Sequence, residues 1–110
     1  MRNRSTVVRF PVFPGFAVRV IQARDVMRTC RRLGADATPC RAAFITGADS
    51  PGLGWLVLGL APDPATIAHE SSHAVRALFR AHGAKADDEA FAYHLDYLVG
   101  RIHKFLERER

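Results

Sequence analysis

The chain has 110 residues, 48% hydrophobic and 25% charged, with a formal net charge of +5. That length suits one domain around one modest core, so a single domain over residues 1–110 is expected, and the composition excludes wholesale disorder. The basic balance invites nucleic acid, but the 16 Lys and Arg are scattered from Arg2 to Arg110; weak, salt-sensitive contact fits that pattern, whereas sequence-specific recognition does not.

In chain order, Thr6-Val7-Val8-Arg9-Phe10 is β-branched and aromatic and ends at Pro11, which predicts a strand. Arg9 interrupts it before a signal-peptide core of about 7–15 apolar residues could form, and no apolar run approaches the roughly 20 residues of a membrane span. A cytoplasmic protein with no membrane partner is expected. Pro14-Gly15 marks a turn, and Phe16 to Ile21 reads as the returning strand of a hairpin. Asp25 to Leu33 is a short helix capped by Asp25 and stopped at Gly34. Cys30 and Cys40 lack a CxxC spacing and read as plain structural or surface thiols. Ala42 to Thr46 is a short apolar strand, Gly47 to Gly54 a loop, and Trp55 to Leu60 the strongest strand in the chain. Asp63 and Pro64 suit the N-cap and first position of a helix reaching about His82, with Gly83 as its stop. After Ala84-Lys85-Ala86 comes a last helix, from about Asp87 to Glu107, with acidic residues at its start and basic residues toward its end.

The chemistry is concentrated in His69-Glu70-Ser71-Ser72-His73, an H-E-x-x-H pentapeptide. Four residues are just over one helical turn, so both imidazoles project from one side and can bind a single Zn²⁺. Glu70 is rotated about 100° from His69, where its carboxylate can take a proton from a metal-bound water and pass it to a leaving amine. On the helical wheel Ile67, Ser71, Ala74, Val75 and Leu78 cluster on one side, while His69, His73, Arg76 and Arg80 lie opposite. A metal helix needs that division: one side anchored to a sheet, the other open to a cleft. A catalytic zinc site also needs a third ligand and an open fourth position. The cluster Asp87-Asp88-Glu89 follows after a helix stop and a short loop, and Glu89 is the first choice.

Thr66 to Val75, followed by Asp88-Glu89-Ala90-Phe91-Ala92-Tyr93, resembles a family of short phage and prophage zinc metallopeptidases, in which HExxH is followed by a Glu in an E-x-x-A-Y context. It also resembles the minimal members of the gluzincin group of zincins. The likeness covers roughly residues 54 to 106. It implies His69 and His73 as ligands, Glu70 as general base, Glu89 as third ligand and, if the protein is phage-encoded, a host-cytoplasmic location. Larger gluzincins often carry an Asp four residues after the ligand Glu; here that position is Tyr93.

The last helix leaves alternatives open. Phe91, Leu95, Leu98, Ile102 and Phe105 form its apolar face, and Glu89, Tyr93, Asp96, Gly100 and His103 a stripe roughly opposite. If the polar stripe faces the metal helix, Glu89 binds zinc and Asp96 orients a ligand histidine. If the apolar face does, Asp88 or His94 becomes a rival ligand. Tyr93 and His94 are candidates for stabilising an oxyanion, against a plainer reading of Tyr93 as packing between the helices. His82 and His103 are expected to be solvated helix residues, and Trp55 to pack on the sheet. The resemblance to zincins places the strand from Trp55 to Leu60 at the sheet edge beside the cleft, where an extended peptide could pair with it.

The expected fold is α+β: a small twisted sheet of three or four strands, a backing helix, the metal helix and a last helix, in a minimal zincin-like arrangement. The expected function is that of a zinc-dependent peptidase acting on a peptide or protein substrate. The alternative is a catalytically weak or inactive zinc-binding phage accessory protein that binds a host or virion protein. A basic nucleic-acid binder is a third.

Overall fold

A computed structural model describes residues 3–35, 40–46, 52–85 and 87–108. Its strands are β1 (Arg4–Arg9), β2 (Ala17–Gln22), β3 (Ala42–Thr46) and β4 (Leu53–Leu58); its helices are α1 (Val26–Arg32), α2 (Pro64–Ala81) and α3 (Asp88–Glu107). The four strands form one mixed sheet in the order β1-β2-β4-β3. The β1–β2 hairpin is antiparallel, β2 and β4 run parallel, and β3 returns antiparallel along β4. The architecture is α+β.

The sheet separates two apolar layers. On one face α1 packs through Cys30 against Val57, with Ile21, Ala43 and Ile45 alongside. On the other, Val18, Val20, Leu56 and Leu58 meet Ile67, Ala74, Val75 and Leu78 of α2, and Leu98, Ile102 and Phe105 of α3. Leu56, Val57 and Leu58 are all fully buried because β4 is covered on both faces. That explains why its sequence is an unbroken apolar run without alternation. The Trp55–Leu60 strand is therefore interior, flanked by β2 and β3. This corrects the expectation that it forms the sheet edge: the edge strand on that side is β3. β4 also begins earlier than expected, taking Leu53 and Gly54 from the anticipated loop; residues 47–51 of that loop lie outside the described residues.

The helix ends follow the local sequence. The side chains of Asp25, Asp63 and Asp87 each accept a bond from the backbone N–H three residues on: Arg28, Thr66 and Ala90. Gly34 and Gly83, just past the ends of α1 and α2, adopt φ of +87° and +63°. A left-handed residue there lets following N–H groups reach back to the last carbonyls, as Ala35 N–H does to Cys30 and Ala84 N–H to Phe79. Cys30 is buried and Cys40 exposed, both as free thiols. Burial pushes the Cys30 thiol up, with smaller contributions from Cys40 and Glu70. Among the described residues no helix is long and apolar enough to cross a membrane.

Candidate metal centre

α2 carries the whole pentapeptide. Asp63 and Pro64 start the helix soon after β4 ends, so α2 returns across the sheet and buries Ile67, Ser71, Ala74, Val75, Ala77, Leu78 and Phe79. His69, His73, Arg76 and Arg80 lie on its exposed side. The His69 and His73 rings are 4.9 Å apart between centroids, with planes inclined at 78°. Two imidazole nitrogens held tetrahedrally at about 2.0–2.1 Å from one ion would set the ring centres roughly 5 Å apart. The pair thus has the spacing of two ligands to one zinc. The Ser72 hydroxyl donates to the His69 carbonyl at 2.8 Å, a local bond within this turn.

Glu70 lines the cleft beside His73 and is more sheltered than His69. Its side chain is 13% exposed against 68% for His69, and its carboxylate stands 3.9 Å from His69 Nε2. That is too long for a hydrogen bond, so the carboxylate is beside the imidazole without being occupied by it. Glu70, His73, Arg76, Ala77 and Arg80 form one wall of a cleft of about 380 Å³; Ala42, Ala43, Phe44 and Thr46 of β3 form the other. Phe44 owes its place to Gly54 on β4: a Cβ at Gly54 would come within 2.5 Å of the Phe44 ring.

The remaining expected site residues are distributed along α3. Among the described residues no group of three His, Cys, Asp or Glu side chains comes together to hold a metal. Asp88 and Glu89 sit exposed in the first turn of α3. α2 runs on past His73 to Ala81, about 12 Å of helix at 1.5 Å per residue, so the start of α3 lies near the far end of α2. Asp96 is exposed two turns further along α3. Tyr93 is 55% exposed, resting its ring on His94 at 5.1 Å, and is not sandwiched between helices.

His94 points into the core. It is 4% exposed, and its ring lies 5.2 Å from Phe13, 5.3 Å from Phe79 and 6.0 Å from Phe10. Nδ1 donates to the Ala90 carbonyl at 2.7 Å, while Nε2 is buried without a hydrogen-bond partner among the described residues. This placement keeps it off the cleft wall, unlike the expected role as rival ligand or oxyanion donor. His82 is exposed, yet its Nδ1 donates to the Leu78 carbonyl at 2.9 Å and its ring packs 4.8 Å from Phe13. His103 lines a separate hollow with Gln22, Leu60, Leu106 and Glu107.

No family model, curated protein or solved structure matches the chain. The functional reading therefore rests on the residues and their geometry.

β3 was the part of the site missed by sequence reasoning. A signal for it was present. Only a few residues separate Thr46 from Leu53, which favours an antiparallel return and puts β3 outside β4. The parallel β2–β4 pair then needs α1 and β3 as its crossover.

Proposed function

We propose that the protein is a zinc-dependent peptidase of minimal zincin-like build, akin to short phage metallopeptidases and working in the cytoplasm. The observation that carries this reading is the His69–His73 ring pair at 4.9 Å on the exposed side of α2, with His73 and Glu70 lining the cleft. His69 and His73 would hold the ion. For a third ligand, Glu89, with Asp88 and Asp96 as rivals, would have to approach from α3, because its apolar face is the one turned toward α2 and no third ligand stands beside the histidines among the described residues. Bound there, Zn²⁺ would polarise a peptide carbonyl and acidify a coordinated water. The chain's own residues account for the rest. Glu70 would accept the proton of the attacking water and deliver it to the leaving amine, a role suited to a sheltered carboxylate not held by a neighbour. β3, as the edge strand, would pair its outer backbone groups with an extended substrate.

That no third ligand stands beside the two histidines among the described residues favours one second reading, a zinc-binding accessory protein with little or no hydrolysis. One experiment separates the two: zinc analysis and hydrolysis of a quenched fluorescent peptide library by the parent and by Glu70→Gln. The peptidase reading expects one zinc per chain in both proteins and a roughly 10²–10⁴-fold loss of hydrolysis in Glu70→Gln. Zinc in the parent without hydrolysis would select the accessory reading, and a parent that binds no zinc would overturn both.

A further inference from the structure

We infer that the half of the cleft beyond His73 is a subsite for acidic peptide side chains, formed by Arg76 and Arg80; this rests on reading the cleft as a peptide site. Both arginines follow His73 on one stripe of α2, three and seven residues on, and both line the same cleft wall. The Arg76 guanidinium is held over the Phe91 ring at 5.3 Å. That contact uses the flat face of the group and leaves its N–H edge for a ligand. Arg80 is exposed, and its side chain has no hydrogen bond or ion pair among the described residues. Glu70 is the one carboxylate among the residues lining the cleft, and it lies toward the other end of the stripe. Among the described residues the far half of the cleft thus carries two positive charges and no carboxylate beside a concave wall, which concentrates a field favouring carboxylates. Guanidinium groups can bind carboxylates through two parallel hydrogen bonds.

The spacing narrows the inference. Along α2 the rise from His73 is about 4.5 Å to Arg76 and about 10.5 Å to Arg80. A peptide extended along β3 advances about 3.3 Å per residue, so the arginines lie level with positions one and three residues from the point opposite His73. Positions one and three project from the same face of an extended chain. The expected ligand is a segment with acidic side chains at alternate positions on one flank of the point opposite His73. Arginines that serve only to solvate the helix would show no such pattern.

The test measures binding separately from hydrolysis. In full-length Glu70→Gln protein, fluorescence anisotropy compares extended Thr/Val peptides carrying Glu, Gln or Lys at alternate positions. The Glu peptide is expected to bind about tenfold more tightly than the Lys peptide, with the gap closing as salt rises. Adding Arg76→Ala and Arg80→Ala should abolish the preference. Arg80→Glu, which changes an exposed side chain, leaves one positive and one negative charge in the far half, so it should collapse the preference and keeps the test open if Arg76→Ala disturbs Phe91. Arg28→Ala, on α1 across the sheet, should leave the preference intact. Equal binding of Glu and Lys peptides, no binding of either, or a preference unchanged without both arginines would overturn the subsite. Zinc content and hydrolysis of the parent, measured in parallel, keep the two proposals apart. Charge preference in a protein without zinc or hydrolysis would sink the peptidase reading and leave the subsite standing; hydrolysis without charge preference would do the reverse.

Discussion

The two edges of the sheet meet different neighbours. β1 is tied to α3 at both ends. Arg4 stacks over the Phe105 ring at 4.8 Å and donates to the Phe105 carbonyl at 3.4 Å, while the Tyr97 hydroxyl donates to the Arg9 carbonyl at 3.2 Å and accepts from Arg101 at 2.9 Å. β3, at the opposite edge, faces a cleft whose other wall carries Glu70, His73 and two arginines. An unpaired strand edge attracts other chains, and natural proteins cover or charge it. Here one edge is bolted down by a helix and the other is left beside a charged trough. The difference teaches that one edge of the four-stranded sheet is held by helix contacts and the other borders the candidate site.

The sharpest way to break that contrast is to exchange a residue on each side and ask whether the effects stay separate. His73→Ala should abolish stoichiometric zinc binding by elemental analysis. Because His73 is exposed, its unfolding free energy without metal should stay within about 0.5 kcal/mol of the parent. Phe105→Ala should do the opposite: a loss of about 3–5 kcal/mol in urea unfolding, since the ring is only 6% exposed, with zinc stoichiometry retained. A Phe105→Ala protein that folds but loses zinc would show that the two edges are coupled.

Smaller effects refine the comparison. Tyr97→Phe removes the hydroxyl that bridges Arg101 and Arg9. Chemical denaturation should register about 0.5–1 kcal/mol, toward the low end of a hydrogen bond because the contact is near solvent. The smallest effect belongs to Asp63, where α2 begins. The backbone N–H of Thr66, followed by its side chain, holds the Asp63 carboxyl below the ordinary value of 3.8. Its contribution to stability is therefore full above that value and lost as pH falls through the lower folded pKa. The melting-temperature deficit of Asp63→Ala should be present at neutral pH and shrink below pH 3.8. A deficit that persists in acid would mean that the cap acts through packing and not through charge.

Much of this organisation was legible in the residues. The caps at Asp25, Asp63 and Asp87 and the stops at Gly34 and Gly83 are local chemistry, so the helices fell close to their expected bounds. The division of α2 into a buried and an exposed side followed from periodicity alone. What stayed hidden was non-local. Strand order depends on which elements cross over, and an apolar run such as Leu56-Val57-Leu58 reads the same at any buried position in a sheet. His94 was misplaced for a related reason. It was expected as a rival ligand if the apolar face of α3 turned inward; that face does turn inward, but it carries His94 into the core, where three phenylalanine rings surround it. Assigning the third ligand requires knowing how far α2 overruns His73 before the chain turns back, which a motif of five residues does not encode.

The Phe44 ring occupies space left by the missing side chain at Gly54. The bore of the trough is thus governed from a neighbouring strand, by a position that is not among the residues lining it. Enlarging residue 54 while trimming residue 44 would reshape the trough without altering His73 or Glu70. The width of the trough and the identity of its polar side chains are thus set at different positions of the sequence.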